Sequence, residues 1–220
     1  MKYKRITLLC GHYGSGKTNI ALNMAYELKN SYNNVAIADL DIVNPYFRTT
    51  DSADELKEKG IKLIASEYAG SNVDIPALPQ EMYSLTDDKS VKAVIDVGGD
   101  DRGALALGRI ISKILEENDF EAFLVINKFR PLTPDVESTL EVMAEIECAG
   151  NFKFTGIINN SNLGVQTTAE DVLSSMEYAQ SVASATGLPL VATTVDEKLF
   201  NELSKKIDNL FALKLQKKIN

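Results

Sequence analysis

The chain has 220 residues, 45% of them hydrophobic and 25% charged, with a formal net charge of −8 at pH 7. This balance excludes a disordered or fibrous polymer and argues against broad electrostatic binding to nucleic acid, while the length suits one domain, 1–220, with a large core. The two cysteines, Cys10 and Cys148, make neither a metal-spaced pair nor a disulfide framework, which suits a reducing cytoplasm.

The basic start, Lys2-Tyr3-Lys4-Arg5, precedes an apolar run too short for a secretion signal, and no apolar run approaches a membrane span. Ile6–Cys10 predicts a first strand and Thr18–Asn30 a helix. Asn34–Asp39 reads as a second strand, Ser52–Lys59 as a polar helix and Ile61–Ile64 as a third strand. The stretch 65–90 is rich in Pro, Gly and Asp and yields no firm element. Val91–Val97 is a buried strand and Gly103–Asn118 a helix. Strand Phe120–Asn127, helix Pro134–Ala149, strand Phe152–Asn159, helix Thr168–Gly187 and strand Pro189–Thr193 follow, then a final helix from about Asp196. Such alternation predicts an α/β fold of three layers, a mostly parallel sheet with helices on both faces, whose ligand lies at the carboxyl ends of the strands.

Between the first strand and the first helix stands Gly11-His12-Tyr13-Gly14-Ser15-Gly16-Lys17-Thr18, which fits the phosphate-loop pattern G-x-x-x-x-G-K-[ST] in the strand–loop–helix context it requires. Its glycines let successive N–H groups face phosphate oxygens at the positive end of the new helix. Lys17 is expected to supply a charge to the β- and γ-phosphates, and Thr18 a hydroxyl to Mg²⁺. Asn19 completes the expected nucleotide-binding segment.

Carboxylates follow where such a site needs them. Ala93-Val94-Ile95-Asp96 is an apolar strand ending in an acid that can hold Mg²⁺ through its water shell, and Asp96-x-x-Gly99 is the spacing by which a backbone N–H reaches a γ-phosphate. Asp39 and Asp41 stand two apart on one side of an extended segment, and either can orient water or support the metal; Tyr46-Phe47-Arg48 beyond them reads as a switch. Guanine readers use Asn-Lys-x-Asp. Here Asn127-Lys128-Phe129-Arg130 and Asn159-Asn160-Ser161-Asn162 both lack the terminal Asp, which favours adenine, read by the amide of Asn159 or Asn160.

Taken together, these motifs resemble the MinD/ParA group of P-loop ATPases, which includes the nitrogenase iron protein, over nearly the whole chain. The resemblance rests on residues 11–18, the Asp-x-Asp after the second strand, Asp96-Val97-Gly98-Gly99-Asp100, and Asn159 at a strand end. It implies Mg²⁺-ATP bound between two subunits, a homodimer formed with ATP and released or reshaped on conversion to ADP. In this frame Lys17, Asp41 and Asp100 are the catalytic candidates and Thr18, Asp41 and Asp96 the metal set. Two departures stand out. His12 occupies the place of the family's signature lysine, with Arg48 and Arg102 as replacements by nearness to the switches. Neither cysteine falls where iron–sulfur relatives place theirs, so no cluster is expected.

After Leu199, apolar residues at near-helical spacing alternate with Lys205, Lys206, Lys214, Lys217 and Lys218, either a last helix packed on the sheet or an amphipathic membrane-binding helix like that of MinD; the acids among them favour packing. The expected function is a cytoplasmic Mg²⁺-ATPase acting as a switch on a partner protein. The alternatives are a small-molecule kinase or ligase of the dethiobiotin-synthetase-like branch and a membrane- or DNA-positioning protein.

Overall fold

The structure of the protein, a computed structural model, describes residues 3–40, 49–65, 81–99 and 101–216, with the side chains of 101–102 and 104–106 outside that description. Among the described residues eight strands and eight α-helices follow one another, with a single α-helix between successive strands except between β6 and β7, where there are two. They are β1 (Ile6–Cys10), α1 (Lys17–Lys29), β2 (Val35–Leu40), α2 (Ala53–Glu58), β3 (Lys62–Ala65), α3 (Glu81–Asp87), β4 (Lys92–Val97) and α4 (Asp101–Glu117) in the first half. The second half holds β5 (Phe120–Ile126), α5 (Val136–Gly150), β6 (Gly156–Asn159), α6 (Ala169–Ser174), α7 (Met176–Thr186), β7 (Leu190–Asp196), α8 (Glu197–Leu203) and β8 (Leu210–Leu213). The strands form one sheet in the order β3-β2-β4-β1-β5-β6-β7-β8, and every pairing in it is parallel.

Strand alternation decides which helix layer each residue meets. Ile6, Leu8 and Cys10 of β1, Ala93, Ile95 and Val97 of β4, and Ala122, Leu124 and Ile126 of β5 join one core with residues of α3, α4, α5 and α7. Leu9, Val94, Phe123 and Val125 point the other way, into a second core with α1 and α2. Strands covered on both faces are apolar throughout, which is why they read as continuous runs. The chain leaves β1 for β2 and β3, returns to insert β4 beside β1, and crosses to β5 on the other side of β1. The crevice where the order reverses opens outside the carboxyl end of β1.

The carboxyl-terminal region differs from expectation. The helix begun at Glu197 ends at Leu203, and Leu210–Leu213 is an eighth strand that pairs with β7 from Thr193↔Leu210 to Asp196↔Leu213. Asp208 and Asn209, residues that favour turns over helix, separate the two elements. Leu203, Ile207 and Leu213 are buried within the protein, so the described residues contain no free amphipathic helix of the membrane-binding kind; Lys217 and Lys218 lie outside them. Nor is any described helix long and apolar enough to cross a membrane. The expected helix Thr168–Gly187 is interrupted at Ser175, and β6 starts only at Gly156. Within 65–90, α3 emerges at Glu81–Asp87, while 66–80 is outside the described residues.

Candidate phosphate-loop site

The loop that follows β1 wraps its own backbone. Ser15 N–H donates to the His12 carbonyl at 3.1 Å, and Gly16 opens α1 at φ 90°, the left-handed region natural to glycine. A side chain at Gly16 would also collide with Asn160, whose Nδ2 would stand 2.2 Å from its Cβ. Lys17 is buried and folds back over the loop, donating from Nζ to the carbonyls of Gly11 at 3.0 Å and His12 at 3.3 Å. Its ammonium thus lies against the loop's own backbone, held by two carbonyl acceptors among the described residues. Cys10, at the end of β1 beneath it, is inert: burial pushes its thiol up to about 12, although Lys17 pulls the other way.

Thr18 and Asp96, 78 residues apart, meet at the base of α1, where Thr18 Oγ1 donates to Asp96 Oδ2 at 2.7 Å. Pairing makes this contact. β4 lies beside β1 in the register Leu9↔Asp96, and alternation points Asp96 with Val94 toward α1. Asp96 is fully buried. On its other side β2 brings Asp39 into register with Asp96, so two carboxylates stand on neighbouring strands and one face. Thr49 Oγ1, also fully buried, reaches the same Asp96 oxygen at 3.5 Å. Sequence reading missed Thr49, since it belongs to no motif. Asp41, Arg48 and Asp100, and the side chain of Arg102, lie outside the described residues.

Gly99 presses its Cα against the tip of the loop: a Cβ there would stand 2.4 Å from Tyr13 N and 2.9 Å from His12 C. The β4–α4 turn and the phosphate loop therefore touch backbone to backbone, and only glycine permits it. His12 is half-buried, its Nδ1 3.0 Å from the Tyr13 carbonyl, while the Tyr13 ring is 47% exposed beside it.

The asparagines form the opposite wall. Asn160 donates from Nδ2 to the Ser15 carbonyl and accepts from Thr194 Oγ1, tying β6 and β7 to the phosphate loop. Asn159 points to the other face, as alternation with Ile157 requires, and donates to Ser175 Oγ at 3.0 Å while its Oδ1 accepts from Ser161 Oγ at 2.7 Å. Its amide fixes the α6–α7 junction instead of facing the loop. Asn19 also turns away: its Oδ1 accepts from Gln216 N–H at 3.0 Å, holding the segment after β8 across α1. Asn127 is fully buried, and its Oδ1 accepts from the N–H groups of Phe129 at 3.0 Å and Asn162 at 3.3 Å. Across the turn that it braces, Arg130 lies against Gly14.

With this geometry the family can be named. A sequence model of the CobQ/CobB/MinD/ParA nucleotide-binding domain matches residues 6–190. The chain belongs to that family. The match runs from the start of β1 through the phosphate loop, β4 and Asn160 to the start of β7. A P-loop nucleotide-binding domain is thus its coarse description, and β8 with the segment that crosses α1 lies beyond the matched residues. A search of curated proteins finds no match.

Among solved structures the fold is similar to that of the cell division protein FtsY from Thermotoga maritima, with a TM-score of 0.59 and 19% identity over 87% of this chain and 62% of that one. Chloroplast FtsY from Physcomitrella patens is similar at a TM-score of 0.60 and 18% identity, over 90% of this chain and 60% of that one. Signal recognition particle 54 kDa protein from Aeropyrum pernix, solved in complex with GDP, gives 0.53 and 18%, over 87% and 41%. The chain spans about three fifths of the FtsY chains, 62% and 60%. At these identities the likeness is one of fold.

Proposed function

We propose that the protein is a Mg²⁺-dependent nucleotide hydrolase that prefers ATP and uses the nucleotide as a switch on a partner protein. The observation that carries this reading is the Thr18–Asp96 contact at 2.7 Å beneath a loop whose lysine lies over its own carbonyls. A hydroxyl and a buried carboxylate are the hard oxygen donors that Mg²⁺ takes, with few protein ligands and most of its water kept. Thr18 and Asp96 would hold the ion, with Asp39 and Asp41 in support of its water shell, and bound Mg²⁺ would neutralise charge on the transferring phosphoryl group.

The chain's own groups do the rest. Loop N–H groups receive the phosphate oxygens, and Lys17 exchanges its carbonyl acceptors for the β- and γ-phosphates. Gly99, against Tyr13 N, is where a change at the γ-phosphate would reach α4, with Asp100 next in sequence as the coupling acid. Asp41 orients water. Adenine is favoured because neither Asn127–Arg130 nor Asn159–Asn162 ends in the carboxylate acceptor that a guanine reader needs.

Lys17→Ala tests the core of the reading: ATP affinity should fall at least about 100-fold by calorimetry, with the melting temperature of the nucleotide-free protein little changed. Unchanged affinity would overturn it. Competition between ATP and GTP for the wild-type site tests the base preference, and gel filtration with ATP and then ADP tests the nucleotide-dependent homodimer. A constant oligomer whose ATPase responds to a metabolite would favour the kinase or ligase alternative.

A further inference from the structure

The turn between β5 and α5 carries a charged group that the reading above uses only to exclude guanine. Arg130 N–H donates to the Asn127 carbonyl at 3.1 Å, and Thr133 N–H donates to the Arg130 carbonyl at 3.1 Å, so the backbone here is fixed at both ends. Asn127, fully buried, braces the turn from within. Held this way, the guanidinium lies on the phosphate loop: a Cβ on Gly14 would stand 3.5 Å from both Cζ and Nε of Arg130.

Arg130 Nε is buried and has no hydrogen-bond partner among the described residues. The same is true of Ser15 Oγ, one residue beyond Gly14. Buried donors are ordinarily paired, and an unpaired one costs free energy until an acceptor arrives. Two such atoms at consecutive places along one anion-binding loop call for an acceptor brought by the ligand. A guanidinium is a planar fork of donors with permanent charge, suited to two oxygens of one phosphate.

We infer that Arg130 is a phosphate-contacting residue supplied by the same chain, donating to the diphosphate of a nucleotide seated in the loop. The inference rests on the nucleotide-binding reading of that loop and adds to it a cation from the β5–α5 turn. Arg130 grips the diphosphate whichever base is attached, because its contact is made at Gly14, within the loop.

Calorimetric titration of wild-type protein, Arg130→Ala and Arg130→Lys with ADP and with GDP tests this, with thermal melts confirming that each variant is folded. Arg130→Ala should weaken both nucleotides by the same factor, about 10- to 100-fold, as for loss of a charge-assisted hydrogen bond. Arg130→Lys should recover only part of that loss, since an ammonium keeps the charge but not the fork. A folded Arg130→Ala that binds ADP as tightly as wild type would overturn the inference, as would a loss confined to one of the two bases. Failure of the wild-type protein to bind either nucleotide would instead overturn the reading of the loop itself.

Discussion

At the edge of the sheet where the strands begin, Arg5 is buried in a closed set of partners. It forks onto the carboxylate of Glu117 at the end of α4 and donates from Nη1 to the carbonyls of Leu85 at 2.8 Å and Val91 at 3.2 Å. Beside it Thr7 Oγ1 donates to Glu121 at 2.9 Å. At the edge where the strands end, Thr18 and Asp96 form a comparable buried contact, yet Ser15 Oγ and Arg130 Nε close onto nothing among the described residues. The same sheet thus uses buried polarity in two ways. At one edge, protein groups complete each other and hold α3, α4 and β1 together. At the other, the phosphate loop opens α1 and the unpaired polar atoms lie along it. Closed networks belong to stability and open ones to binding.

The sharpest way to break this comparison is Arg5→Ala. It leaves the half-buried Glu117 and the carbonyls of Leu85 and Val91 without their partner and should cost about 3 kcal/mol by urea denaturation, while the folded protein keeps its nucleotide affinity within about twofold. A large affinity change there would dissolve the distinction between the edges. Next comes Asp96→Asn, which preserves shape and can still accept from Thr18. We expect hydrolysis to fall about 100-fold, some 2.7 kcal/mol in barrier, with thermal stability in the absence of nucleotide nearly unchanged.

Gly99→Ala comes third. The added methyl group meets Tyr13 N at 2.4 Å, so the loop must move; nucleotide affinity should drop about tenfold, and Gly98→Ala is a control for general damage to the turn. The smallest effect is expected at Glu121→Gln. Burial raises the Glu121 carboxyl above its ordinary value, against the opposing pull of its bond from Thr7. The folded state therefore holds this proton more tightly than the unfolded one. The associated stability is present below the unfolded value and is lost as pH rises through the raised folded value. The glutamine variant, which still accepts from Thr7, should show a flatter stability profile across that window in pH-resolved melts.

Some features were legible residue by residue. The Gly11–Thr18 pattern names its own conformation, because left-handed glycines and a helix start follow from local sterics and hydrogen bonding. The apolar run Ala93–Ile95 ending in Asp96 marks a strand terminus for the same reason. The direction of Asn159 was also available: Ile157 and Asn159 share a face by alternation, so a residue placed among α7 contacts cannot at the same time face α1, and Asn160 takes the loop side. The eighth strand was harder to see. Leu199, Leu203, Ile207 and Leu210 keep helical spacing, and only the Asp208-Asn209 turn hints that a strand begins. Arg130 carries no sequence signal beyond its mismatch to a guanine-reading motif, since its contact with Gly14 joins the β5–α5 turn to the loop after β1.

By itself the sequence determined the phosphate loop, the α/β alternation and the acid at the end of β4, because each follows from bonds and sterics within a few residues. Tertiary structure alone decided that Asp96 and Asp39 stand side by side, that Thr49 joins them, and that Arg130 lies on Gly14. Those contacts depend on strand order, and strand order is chosen by how two helix layers bury opposite faces of one sheet, a global condition that no local stretch of chain contains.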